Sequence, residues 1–171
     1  ETCAHGVSAE LACSALKPET VARMYEIKKR DGKPGTIIAA SVQQLVDIGF
    51  KASDVERAAE FWPGPVSVVL DAPDKLAYLH MGLKSLAVRI PYPEDLRNLL
   101  KISGPLATTS ANFPGEPTVV RVEQARELFG GRVDLYVDGG DLSNVLPSSI
   151  IKLTDDGYEI IRAGQGLSKN A

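Results

Sequence analysis

Apolar and polar positions repeat along this chain with two different periods, and each change of period marks an element. Val21, Met24 and Tyr25 follow i, i+3, i+4 spacing, which predicts a helix that opens at Pro18-Glu19-Thr20, with Thr20 as N-cap. "GTIIAAS" reads as a short buried strand. "SVQQLVDIG" reads as a helix that Gly49 ends, and "SDVERAAEFW" as another, capped by Ser53 and stopped at "PGP". "VSVVLDAP" and "SLAVRIPYP" are strands closed by proline, and "PEDLRNLLKIS" is an amphipathic helix. The strand "PLATTSA", the helix "RVEQARELFG" and the strand "VDLYVDGG" follow. Two strands around Asp155-Asp156-Gly157 then close the chain. Strands and helices mix without strict alternation, so the expected fold is a single α/β domain with a twisted mixed sheet flanked by helices.

Composition narrows the class. The 171 residues suit one domain with a real core, 44% apolar and 24% charged. No apolar run approaches the roughly 18 residues of a membrane span, and no signal-peptide pattern opens the chain. Cys3 and Cys13, with the distant His5 and His80, make no zinc pattern, and one cysteine pair is no disulfide framework. A reduced, cytoplasmic protein without a membrane partner is expected. The net charge of −3 argues against a general nucleic-acid binder.

Three features could carry chemistry. Lys28 falls on the helical face of Val21, Met24 and Tyr25. Either it snorkels to water or it points into a cleft that holds an anion. Residues 23 to 33 set five basic side chains (Arg23, Lys28, Lys29, Arg30 and Lys33) against Glu26 and Asp31, which favours an anionic ligand such as phosphate. "SGPLATTSANFPGEPT" ends a strand in Thr108, Thr109, Ser110 and Asn112. That is ordinary turn chemistry, or a set of donors for phosphate and ribose oxygens. Arg89 sits in mid-strand, where an arginine usually faces solvent, yet its fork suits a carboxylate. Arg162 leaves the last strand just before glycines. Trp62 in "FWPGP" reads as core or wall packing. No Ser-His-Asp set, Cys-His pair or carboxylate pair is visible, which points to chemistry by positioning and charge neutralisation.

"YEIKKR", "FWPGPVSVVL", "SLAVRIP", "PLATTSANFPGEPT", "YVDGG", "PSSIIKLT" and "IIRAG" follow one another in the order and approximate spacing of a known family. From about Glu19 to Gly164 the chain resembles the YrdC-like threonylcarbamoyl-AMP synthases. The resemblance implies a large, concave, positively charged cavity in the sheet. It also implies an enzyme that makes threonylcarbamoyl-adenylate from ATP, L-threonine and bicarbonate, releasing pyrophosphate. A downstream threonylcarbamoyl transferase complex would then modify the adenosine beside the anticodon of tRNA. By the same resemblance, Lys28, Arg30, Ser110, Asn112 and Arg162 would bind ATP, with Mg²⁺ on the triphosphate. Arg89, Thr108, Ser148 and Thr2 would bind threonine. Threonine's amine would become a carbamate, whose oxygen attacks the α-phosphorus.

Some stretches depart from the family pattern. Glu1-Thr2 and His5-Gly6-Val7 align with parts of a "PTDTVYGL"-like motif only through insertions, and the family's preceding helix and strand are absent. "KPGT" stands for "KPL", and a proline follows Phe113 where serine is common. The expectation is a short single-domain form over residues 1–171. Two other readings stay open: a paralogue with another substrate, and a module that binds double-stranded RNA or tRNA.

Overall fold

A computed structural model describes residues 8–29 and 32–167. In chain order the elements are β1 (Glu10–Ser14), α1 (Pro18–Lys28), β2 (Thr36–Ile38), α2 (Val42–Asp47), α3 (Ala52–Ala58), β3 (Val66–Asp71), α4 (Ala77–His80), β4 (Ser85–Arg89), α5 (Glu94–Ser103), β5 (Leu106–Ser110), α6 (Val122–Phe129), β6 (Ser149–Thr154) and β7 (Gly157–Arg162). The strands form one sheet in the order β1-β5-β2-β4-β3-β6-β7. β2 with β4 and β3 with β6 are parallel. The other four pairs are antiparallel, so the sheet is mixed, as the pattern implied.

Strand alternation gives the sheet two unlike faces. Ile37, Val68, Leu86, Val88 and Ile151 point to the main core, where they pack with residues of α1 to α4. On the other face α5 covers one end, where Leu100 joins Ile38 and Ala40 in a second apolar cluster. The rest of that face is left open by the helices. Every strand but β1 and β7 is buried between neighbours, which leaves those two as the edges.

The local signals differ in detail from those read in the sequence. α1 begins at Pro18, which suits a first helical position because it has no N–H to satisfy. Thr20 therefore lies inside the first turn, and its hydroxyl donates to the carbonyls of Ser14 and Lys17. Ser53 also lies inside its helix, which starts at Ala52, and its hydroxyl turns to Asp54. The serine that does cap a helix is Ser41, whose Oγ accepts the Gln44 N–H at 3.2 Å. "VDLYVDGG" forms no strand. Leu135 and Val137 are exposed, and the segment is held by side chains: Arg23 grips Asp134, and Asp138 accepts the Gly140 N–H. Despite its alternation, the segment pairs with neither edge strand of the sheet, β1 or β7.

Candidate functional site

The open sheet face is the floor of a cavity of about 600 Å³. Glu10, Thr36, Val69, Ala87, Thr108 and Ile150 come from six neighbouring strands and share this floor. One wall is the chain after β5, where Thr118, Val119 and Val120 line the space, closed by Leu142 and Val145. Backbone bonds hold this wall: Val119 N–H donates to Ala111 and Leu142 N–H to Val120. Lys33, Arg162 and Glu10 are the charged side chains among the described lining residues.

Two glycines make the approach of backbone to backbone possible. A Cβ on Gly35 would sit 2.7 Å from the Thr108 carbonyl oxygen, so only glycine lets the Lys33–Thr36 strip lie against β5. Gly164 is likewise pressed on Pro147 and Ser148, where any side chain would collide with main chain. Its N–H donates to Ser149 Oγ at 3.0 Å.

The structure gathers most of the expected residues, but at two depths. Thr108, Ser110, Ser148 and Arg162 line the cavity. Lys28, Asn112 and Arg89 do not line it themselves, but each bonds a residue that does: Ser110 for the first two and Glu10 for Arg89. Lys28 lies on the buried face of α1, at 4% exposure. Its ammonium does not snorkel to water. It donates to the Ser110 carbonyl at 2.5 Å, to Ser110 Oγ at 3.2 Å and to Asn112 Oδ1. Ser110 Oγ donates to the same Asn112 oxygen at 2.7 Å, and the Asn112 amide reaches the Glu116 carbonyl. Lys28 thus fastens the end of α1 to the loop that leaves β5.

Arg89 corrects the solvent-facing expectation: it is 1% exposed. It faces the cavity side of β4, two residues beyond Ala87, and its Nη2 meets Glu10 Oε1 at 3.3 Å. Arg162 donates to the Ser148 carbonyl at 2.7 Å. Arg162 is exposed as a residue, yet its guanidinium is partly covered where it meets β6. That desolvation pulls its pKa below the ordinary arginine value; Glu10 opposes the shift and Arg89 adds to it. It stays cationic at neutral pH. The Thr108 hydroxyl is turned to the Thr36 carbonyl at 3.3 Å. Arg30, Thr2 and His5 lie outside the described residues.

Sequence reasoning missed Glu10, Leu142 and Val145. Glu10 opens β1, a five-residue strand that follows the stretch aligned with the divergent motif and carries no element in the sequence pattern read above. Leu142 and Val145 sit in an irregular stretch with no period to mark their direction. Among the described residues, no three His, Cys, Asp or Glu side chains come together as a metal site. The one acidic lining group, Glu10, is engaged by Arg89. The donor set of the described residues does not fit a protein-held metal.

Residues 8–164 match the Sua5/YciO/YrdC family model, whose description reads "Telomere recombination". The chain belongs to this family. It is 32% identical over 162 residues to a threonylcarbamoyl-AMP synthase of Pyrococcus abyssi, a match that covers 90% of this chain and 47% of that protein. Among solved structures it is similar to Pyrococcus abyssi Sua5 complexed with L-threonine. There the TM-score is 0.80 at 32% identity, covering 91% of this chain and 47% of the other. It is also similar to full-length HypF in the phosphate- and nucleotide-bound form, with a TM-score of 0.78 at 25% identity, covering 94% of this chain and 26% of the other. The chain spans about half the length of the first curated relatives it matches. The seven-stranded mixed α/β sheet is the family fold.

Proposed function

We propose that this chain joins ATP, L-threonine and bicarbonate into threonylcarbamoyl-adenylate and releases pyrophosphate. The observation that carries the reading is the joint presence, on one sheet face, of the Thr108, Ser110 and Ser148 hydroxyl residues that line the cavity and the guanidinium groups of Arg89 and Arg162. The same fold holds L-threonine in a relative that shares 32% identity with this chain. A second relative of this fold binds phosphate and nucleotide.

In this reading Ser110 and Arg162 contact the nucleotide directly, with Arg30 on its phosphates. Lys28 and Asn112 support them: a network already satisfied by Ser110 keeps that hydroxyl and its loop in one position, so little ordering is left to do when ATP arrives. Arg89 takes the threonine carboxylate, and Thr108, Ser148 and Thr2 complete that subsite. The threonine amine and CO2 from bicarbonate give a carbamate, and a carbamate oxygen attacks the α-phosphorus. Pyrophosphate leaves, and the cationic side chains stabilise the growing charge. Mg²⁺ would come on the triphosphate rather than on protein ligands. The product would pass to a threonylcarbamoyl transferase that acts on tRNA, in the cytoplasm. Among the described residues no helix is long and apolar enough to cross a membrane.

Pyrophosphate release by the purified protein tests this. Release that needs both L-threonine and bicarbonate supports the synthase. Release independent of either, or none with ATP bound, contradicts it.

A further inference from the structure

The proposed carboxylate clamp is already engaged by a carboxylate of the chain itself. The Arg89 side chain is 2% exposed and that of Glu10 17% exposed. Glu10 lines the cavity and Arg89 does not, so Glu10 stands between the cavity and the guanidinium. Their contact is also a poor one. It is a single bond at 3.3 Å, where charge-assisted pairs usually close to about 2.7–2.9 Å and a guanidinium can hold a carboxylate with two bonds. Arg89 Nε is buried with no hydrogen-bond partner among the described residues. A buried donor left unmade is costly, so the guanidinium retains an unmet demand for an acceptor.

We propose that Glu10 is an internal occupant of the Arg89 carboxylate site, and that a substrate carboxylate enters by exchange with it. The exchange is reasonable on both sides. The incoming carboxylate can take Nε and Nη2 together, which Glu10 does not. The displaced Glu10 is not stranded, because Arg162 also lies within its electrostatic reach. Glu10 then sets the affinity and selectivity of the amino-acid subsite: only a ligand that outcompetes a tethered carboxylate gains the clamp. That the ligand is an α-amino acid rests on the function proposed above. The occupancy by Glu10 does not.

The test is chemical replacement of the missing carboxylate. Thermal melts of the wild type and of Glu10→Ala are recorded in sodium acetate, in sodium chloride of equal ionic strength, and in acetamide. Acetate should raise the Tm of Glu10→Ala by roughly 3–5 °C at saturation, with no such rise in chloride, in acetamide or in the wild type. Equal shifts in both proteins, or no shift in a folded Glu10→Ala, overturn the proposal. Glu10→Gln, which keeps the shape and removes the charge, serves if the alanine variant does not fold. Calorimetry should then show L-threonine binding about tenfold more tightly to Glu10→Gln than to the wild type. L-threonine that binds the wild type as tightly as Glu10→Gln, or more tightly, overturns the proposal. Acetate rescue without any L-threonine binding upholds the exchange site and rejects the synthase reading instead.

Discussion

A lysine that gives up its water must regain those bonds from protein oxygens, and Lys28 regains them from Ser110 and Asn112. Removal of the ammonium leaves acceptors at the end of β5 unmade, so Lys28→Met should cost roughly 1–3 kcal/mol in urea unfolding. Ser110→Ala, which removes one hydroxyl and no charge, should cost about 1 kcal/mol or less. Both should lower ATP turnover by about a hundredfold or more, since the loss is one of positioning. Turnover that falls only in step with stability would assign both residues to packing alone. The lysine's inward direction was legible because helical period is strict. Its destination was not, because it depends on β5, some eighty residues away in sequence.

Elements were legible where the pattern and the neighbours agreed. β3, β4 and β5 carried apolar runs bounded by proline or by small polar residues, and each lies within the sheet. Residues 133–140 had a strand-like pattern without a partner, and pattern alone does not determine whether a segment pairs with an available edge. Helix starts were displaced by one to three residues because proline and backbone caps competed with hydroxyls. Ser41 is the exception that can be tested. Its Oγ caps α2 while the Gln44 side chain accepts from Ala40 N–H and donates to the Leu100 carbonyl, tying α2 to α5. Ser41→Ala should cost about 1 kcal/mol of unfolding free energy. Phe129 is buried, and meets Phe113 edge-to-face at 5.8 Å. Phe129→Ala should cost about 3–5 kcal/mol, and should loosen the Phe113 loop as read by faster amide exchange.

At the scale of the molecule, the sheet does two jobs with its two faces: one is sealed by helices, the other is kept as a cavity. The position of the cavity was foreseen only through family resemblance, because no local pattern says which strand faces remain uncovered. Its rim is sensitive to acid. Asp141 adjoins Leu142 and is held at a pKa of about 2, below its ordinary 3.8, first by the Ser143 N–H and hydroxyl and then by Arg121. A depressed carboxylate stabilises the folded state above its ordinary pKa, and that contribution disappears as pH falls through the folded value. The stability gap between wild type and Asp141→Asn should therefore be constant above about pH 4 and close toward pH 2. A gap that does not change with pH would place the effect elsewhere.

In the proposed reaction one cavity joins three substrates. The most direct measurement supplies ¹³C-bicarbonate with ATP and L-threonine, and follows labelled nucleotide and pyrophosphate together. One labelled carbon in a threonine-bearing adenylate should appear for each pyrophosphate released, with no product when threonine is omitted. Pyrophosphate without labelled carbon in the nucleotide would show that this cavity cleaves ATP for another purpose.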